Sequence, residues 1–470
     1  MNNFSRERFK TGEEYSRALF FLSPFILLFS ISLFQVLNLT LFQGDKYQTI
    51  AESNRIYQKP ISPVRGFIYD RNGTLLAENI VQRDLYVTPA YIEDSAETIL
   101  RLSNLLDVPY ELLDENFSRG VKKVKKFDSF PLVKALNEEQ IAKAKVNLDS
   151  ISGIEVKATL KRYVLHEETL AHVLGYVGDI SSDDIRRDKL LAELQNTQIG
   201  KTGIEKEFDY VLRGKPGIQT QERDVKGKLV RILDTQGAED GKDIYLTIDQ
   251  TLPDHLFKLF ENRRGALGAL EPKTGLVRAL ISSPSFNPNI LNSIVDTDEV
   301  ESLFSNKESP IFNRAISGQY PPASTLKPFV GLAAIENEVI SWDKTIKDDG
   351  EFYVEGDPRP YRGWKENGHG RVDMRKAIAE SSDVYFYNIA FDLTLAGIRP
   401  MLDSFGFGKK TGLTDFEANG LLPDKKWKLG YKGDFWFKGD TINLGIGQGY
   451  ILATPLQLAM AYSGLANKGV

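Results

Sequence analysis

The sequence predicts one membrane-spanning helix followed by a mixed α/β polypeptide in two parts. Three observations carry this. No charged residue occurs from Ala18 to Phe42. Between residues 43 and 242, short β-rich runs alternate with turn signals and helical patterns. From Asp243 onward a hairpin pattern leads into longer apolar helical runs.

The charge-free stretch has 25 residues, which as a helix would reach roughly 37 Å, enough to cross a bilayer. Arg6, Arg8, Lys10 and Arg17 precede it, so residues 1–17 should form a cytoplasmic tail. No small-x-small site follows the run, and the run is long for a signal peptide. An uncleaved anchor over 18–42 is expected, with the rest beyond the membrane.

In the next region, Gly66-Phe67-Ile68-Tyr69 and Asp84-Leu85-Tyr86-Val87 read as strands, punctuated by Arg71-Asn72-Gly73. Helical spacing appears near Ala96–Leu106 and Glu138–Val146. The basic run from Val121 to Lys126 reads as a solvated face. Around Pro272-Lys273-Thr274-Gly275, the small and branched runs Gly265–Glu271 and Leu276–Ser282 predict an antiparallel hairpin. A helix should begin at Ser324 and another should run from Met374 to about Leu395.

Composition narrows the function. A net charge of −5 argues against nucleic acid as the main partner. The absence of cysteine excludes disulfides and thiolate chemistry. The histidines at 166, 172, 255 and 369 are scattered with no metal-ligand spacing. His369 with Asp348 or Asp349 makes no evident tetrahedral set, so no metal and no cofactor are expected.

Ser324 and Lys327 are the main candidates for chemistry. They stand three apart in Tyr320-Pro321-Pro322-Ala323-Ser324-Thr325-Leu326-Lys327-Pro328-Phe329. At the first turn of a helix, i and i+3 share a face, and unpaired N–H groups favour negative charge. A hydroxyl and an amine would meet there, as in serine acyl transfer with lysine as base. A plain serine N-cap is the bland alternative. The other such spacing, Ser341/Lys344, falls in polar turn-like sequence and reads as chance.

The wider segment resembles the first active-site motif of penicillin-binding transpeptidases. Ser381-Ser382-Asp383, 57 residues after Ser324, resembles the second. Arg65–Gly73 looks like the opening of that family's non-catalytic pedestal. Gly203–Phe208 and Leu212–Gly217 resemble the pedestal's end. Gly445-Ile446-Gly447-Gln448-Gly449-Tyr450 and Ala453–Gln457 resemble the late transpeptidase motif. With one anchor and no glycosyltransferase domain, the chain resembles class B of the family. Trp364–Gly370 and the acidic Asp383 point to its cell-elongation branch.

The resemblance implies an α+β pedestal of dimerisation type over 43–242. It also implies an α/β, serine β-lactamase-like penicillin-binding transpeptidase domain over 243–470. It implies a peptidoglycan D,D-transpeptidase of the inner membrane, acting in elongation and rod-shape maintenance. Its partners would be stem peptides, β-lactams and the polytopic glycan polymerase of the elongation machinery. Ser324 would attack the penultimate D-Ala carbonyl. Lys327 would be the base, and Ser381 would relay a proton. Asp383 replaces the commoner Asn and would favour the ammonium form of Lys327 unless substrate or Ser381 shields the pair, or unless it instead binds the substrate amide. A β-lactam sensor, an inactive scaffold and the septal relative with the same chemistry are the alternatives.

The family's third triplet, Lys-Thr/Ser-Gly, should follow the Gly445 motif. The three Lys-Thr-Gly runs, at Lys201, Lys273 and Lys410, all precede it. The sequence therefore reads as truncated at Val470 within the transpeptidase domain. A protein ending there is expected to be unstable and not to acylate.

Overall fold

The computed structural model describes residues 5–39, 55–124, 126–147, 151–189, 191, 194, 198–224, 229–261, 263–292 and 297–469. The chain divides into two compact units, Met1–Ile61 with Pro216–Ala238, and Ser62–Lys215 with Glu239–Val470.

In the first unit a helix spans Ser5–Leu37. Its window Phe20–Leu37 is long and apolar enough to cross a membrane, which accounts for exposed side chains such as Phe21, Phe25 and Phe34. The last five residues of the expected 18–42 anchor lie partly outside the described residues. A three-stranded antiparallel sheet belongs to the same unit. Gly217–Arg223 lies at its centre, between Ile56–Ile61 and Leu229–Gln236.

The second unit begins with a five-stranded sheet. Strand Leu75–Val87 pairs antiparallel with Ile68–Tyr69, Phe130–Val133 and Ile154–Val164, and Ile244–Tyr245 pairs with Ile68–Tyr69. The helices Ser95–Leu106 and Glu138–Asn147 form where the sequence pattern placed them. Asp94 caps the first by accepting from the Glu97 N–H. Its apolar stripe of Ile99, Leu102 and Leu106 packs on Leu85, Val87 and Phe130. Of the basic run, Lys125 lies outside the described residues.

Two predicted pedestal motifs meet through a buried ion cluster. Glu205, fully buried, accepts from Arg65 Nε at 2.6 Å and from Arg162 Nε at 2.6 Å. Asp70 is also buried and accepts from the backbone N–H groups of Asn72, Thr74 and Gln250. Burial would raise its pKa, but these donors outweigh burial and hold the carboxyl below its ordinary value.

The predicted hairpin is present as Gly265–Leu270 paired with Val277–Ser283. Beyond it lies the largest apolar core of the unit. The helices Lys327–Glu336, Asp383–Ser404 and Lys438–Gly445 share it, with Phe329, Tyr385, Phe386, Ala390 and Ile442 nearly inaccessible. Small residues set the approach. A Cβ on Gly445 would lie 2.3 Å from Ala390 Cβ. The helix Pro455–Ala466, with Thr454 and Gln457 forming a capping box, packs on the hairpin.

Two sequence expectations need correction. Ser324 does not open the α-helix but sits in a 3-10 turn, Ala323–Leu326. The cause is Pro328, which has no N–H to give the Ser324 carbonyl in an i+4 bond. That carbonyl accepts instead from the Lys327 N–H, one residue nearer, so the turn is tight and the α-helix starts at Lys327. The second expected helix is broken into Met374–Ala379 and Asp383–Ser404, and the latter is itself kinked at Thr394. Between them Ser381 has a φ of 56°, which interrupts the helical ladder. Ser382 then caps the next helix by accepting from the Tyr385 N–H.

Candidate active site

Each of these two irregularities presents a candidate hydroxyl. The Ser324 turn is pinned on its N-terminal side. Tyr320 exchanges backbone hydrogen bonds with Ala453, and the Ala323 N–H donates to Gly447 O at 2.8 Å. A Cβ on Gly447 would lie 2.1 Å from Ala323 O, so this approach requires glycine, and its φ of 70° requires it again. The late motif found in the sequence is thus the floor of the Ser324 turn.

Ser324 is exposed while Lys327, three residues on, is 1% exposed. Their side chains are joined through a third group. The Lys327 amine donates to Ser381 Oγ at 3.0 Å, to Ser381 O at 2.9 Å and to Asp383 Oδ1 at 2.6 Å. Ser381 Oγ in turn donates to Ser324 Oγ at 2.9 Å. The line Ser324–Ser381–Lys327 is a continuous path for a proton. The four predicted site residues come together, although the expected direct meeting of hydroxyl and amine is replaced by a bridged one.

Asp383 pairs directly with Lys327, so Ser381 does not shield the two charges from each other. Burial lowers the pKa of Lys327. The hydrogen bond and charge of Asp383, and the charge of Asp348, oppose this without overturning it. The amine is thereby moved toward the neutral form that a base needs.

Residues that sequence reasoning left without a role support this centre. Trp364 donates its backbone N–H to Asp383 Oδ2 at 3.2 Å and its indole N–H to Ser381 O at 3.1 Å. Behind the serine turn, buried Asp348 accepts from Ser382 Oγ at 2.6 Å and from the Gly350 N–H at 2.9 Å, and pairs with His369 Nδ1 at 2.7 Å. Burial alone would raise the Asp348 pKa, but these partners hold it below the usual value. The loop closes on glycines. A Cβ on Gly368 would lie 2.1 Å from Asp348 O. The dense glycines at 363, 368 and 370 were the available signal. Among the described residues, no group of three or more His, Asp or Glu side chains is placed to hold a metal.

The three Lys-Thr-Gly runs have other employment. Lys201 pairs with Asp184, Lys273–Gly275 forms the hairpin turn, and Lys410 donates to Asp415 O. Ser341 and Lys344 sit in an exposed turn, as expected. A cavity of about 600 Å³ lined by Ala171, His172, Leu280 and Phe312 includes none of the four site residues.

Two family models match this chain. The penicillin-binding protein dimerisation domain matches residues 60–246, and the penicillin binding protein transpeptidase domain matches residues 265–470. Peptidoglycan D,D-transpeptidase MrdA of Acinetobacter baumannii is 38% identical over 433 residues, 92% of this chain and 64% of that protein. The Escherichia coli K12 protein of the same name is 36% identical over 462 residues, 97% and 72% respectively. The chain therefore spans about two thirds of the length of these relatives. Penicillin-binding protein PBP2 of Helicobacter pylori, solved in complex with MreC, superposes with a TM-score of 0.79 at 30% identity, covering 88% of this chain and 78% of that one.

Proposed function

From the membership of this chain in the penicillin-binding protein family, we propose that it is a peptidoglycan D,D-transpeptidase of cell elongation working through a Ser324 acyl-enzyme. The observation that carries the proposal is the bridged line from Ser324 Oγ through Ser381 Oγ to the buried Lys327 amine.

In this mechanism Ser324 Oγ attacks the carbonyl of the penultimate D-Ala. Its proton passes through Ser381 to neutral Lys327. The Ser324 N–H, at the start of the 3-10 turn, supplies one donor to the oxyanion. Collapse breaks the C–N bond, and the same relay returns the proton to the departing D-Ala amine. A second stem's amine then attacks the ester carbonyl and gives its proton to Lys327; the C–O bond to Ser324 breaks, and that proton returns through Ser381 to Ser324 Oγ, leaving Lys327 neutral again. A β-lactam amide would be opened by the same attack. Asp383 and Trp364 hold the relay in place.

The reading extends to the rest of the chain. Residues 1–17 form a cytoplasmic tail, 18–42 the anchor in the inner membrane, 43–242 the pedestal and 243–470 the transpeptidase domain. The basic residues before the anchor support a cytoplasmic N-terminus. The anchor would meet a polytopic glycan polymerase in the membrane. A partner of the MreC kind is supported by the H. pylori complex.

The test is labelling by a fluorescent penicillin, on the protein at the length its gene encodes. Label is expected in the parent and in Ser341→Ala, and absent in Ser324→Ala. Label persisting in Ser324→Ala would refute the assignment.

A further inference from the structure

A second feature lies beside the Ser324 turn and has no part in the relay. It is the connector from Lys425 to Lys438, which comprises the helix Lys425–Lys432 and the segment leading to the next helix. Fourteen residues carry Trp427, Tyr431, Phe435, Trp436 and Phe437 together with five lysines. Tyr431 is 72% exposed, Phe435 71% and Phe437 55%. Such a density of exposed rings has a use or is a liability.

The rings are ordered among themselves. Trp427 and Tyr431 stack at 5.4 Å between centroids and 17° between planes, and Tyr450 packs against Trp427 at 5.3 Å. Lys432 Nζ lies 5.2 Å from the Tyr431 ring and 5.9 Å from that of Tyr450. Lys428 is buried and committed to Asp440 at 2.6 Å. Lys425, Lys426, Lys432 and Lys438 are exposed and make no ion pair with a carboxylate among the described residues.

This platform forms one wall of an open cavity of about 400 Å³, lined also by Gln319, Leu421 and Gly449. No carboxylate lines it. Gln319 lies five residues before Ser324, and Gly449 lies two residues after the Gly447 that supports the Ser324 turn. Gln319 and Leu452, which line the cavity, directly adjoin Tyr320 and Ala453, whose backbone pairing pins the Ser324 turn.

We propose that this cavity is a subsite for the glycan-linked part of the substrate: an N-acetylated amino sugar stacked on the Trp427–Tyr431 platform, with a stem-peptide carboxylate against Lys432. The inference rests on the transpeptidase reading, because that substrate joins sugar rings to anionic peptides. The C–H faces of a sugar ring suit the negative face of an aromatic ring. An exposed lysine suits a carboxylate as a mobile point charge. Energy gained at such a remote site can be used to orient the scissile bond at Ser324.

The test uses the encoded full-length protein carrying Ser324→Ala to stop turnover. Calorimetry compares a disaccharide-pentapeptide with the free pentapeptide. The disaccharide form is expected to bind at least about 5-fold tighter. Adding Tyr431→Ala should erase that difference and leave free-pentapeptide affinity unchanged, whereas Lys432→Ala and the milder Lys432→Gln should weaken both probes. In the Ser324 background the same changes should leave penicillin acylation at the parental rate, which also checks folding. Equal affinities in the parent, or a sugar-dependent difference that survives Tyr431→Ala, would overturn the proposal. A patch serving a protein partner or a lipid surface gives the second of these results. In Tyr431→Ala, loss of affinity for both probes alike would overturn it too, as would unchanged affinity for both probes in the Lys432 variants. Failure of the transpeptidase reading is seen separately, as no penicillin label on Ser324.

Discussion

Replacing Asp383 with asparagine tests the proposed role of Lys327 as the base and the hold that Asp383 has on it. Lys327 is 1% exposed, and its amine lies 2.6 Å from Asp383 Oδ1. Burial drives its pKa down while Asp383 pulls it back up. Two unit charges about 4 Å apart interact by ~4 kcal/mol at an effective dielectric of about 20. Halving this for the solvent that reaches Asp383 leaves ~2 kcal/mol, roughly 30-fold in a protonation equilibrium. The local geometry tolerates the change. The asparagine carbonyl can keep the Trp364 N–H now held by Asp383 Oδ2. Its amide N–H then faces Lys327, where it repels an ammonium but donates to a neutral amine. With the opposing charge gone, the folded pKa of Lys327 falls further and the proton leaves at lower pH. The acid limb of the acylation profile should move to lower pH. Well inside the parental acid limb, Asp383→Asn should acylate on the order of 30-fold faster. Stopped-flow measurement with a fluorescent penicillin across that limb reads this directly. Superimposable limbs, or a shift to higher pH, would refute the coupling.

Ser381→Ala removes the bridge and leaves Lys327 paired with Asp383, so acylation should fall by about 10²- to 10⁴-fold with little change in melting temperature. Gly447→Ala drives a methyl group into Ala323 O and forces an alanine into left-handed backbone. It should cost ~1–2 kcal/mol of stability from the backbone alone, and slow acylation by displacing the Ser324 turn. Glu205→Gln removes the buried carboxylate charge that Arg65 and Arg162 share, while Arg65 keeps its pair with Asp209. Denaturant unfolding should show a loss of ~3–5 kcal/mol, and a loss under 1 kcal/mol would mean the cluster is not a buried ion network.

Where sequence reading succeeded, the signal was local. The long apolar helix follows from a run without charge, the hairpin from two β-rich runs about one turn, and the helix Ser95–Leu106 from its spacing. Local rules also explain the two helical misreadings. Pro328 could have been read as denying Ser324 an i+4 donor. Ser381, in contrast, carries no sequence mark of its positive φ.

By itself the sequence determined that a hydroxyl and an amine stand three residues apart on one turn, and that Ser381-Ser382-Asp383 accompanies them. These are matters of chain geometry over a few residues. Only the tertiary structure decided that Ser381 stands between Ser324 and Lys327, that Asp383 pairs directly with the amine, and that Trp364 secures both. The partners are 57 and 56 residues apart in sequence, and the Lys327 amine is shifted by burial that no local pattern encodes. Long-range packing sets both the dielectric around Lys327 and the 2.9 Å contact at Ser324, so the chemistry of this site belongs to the fold.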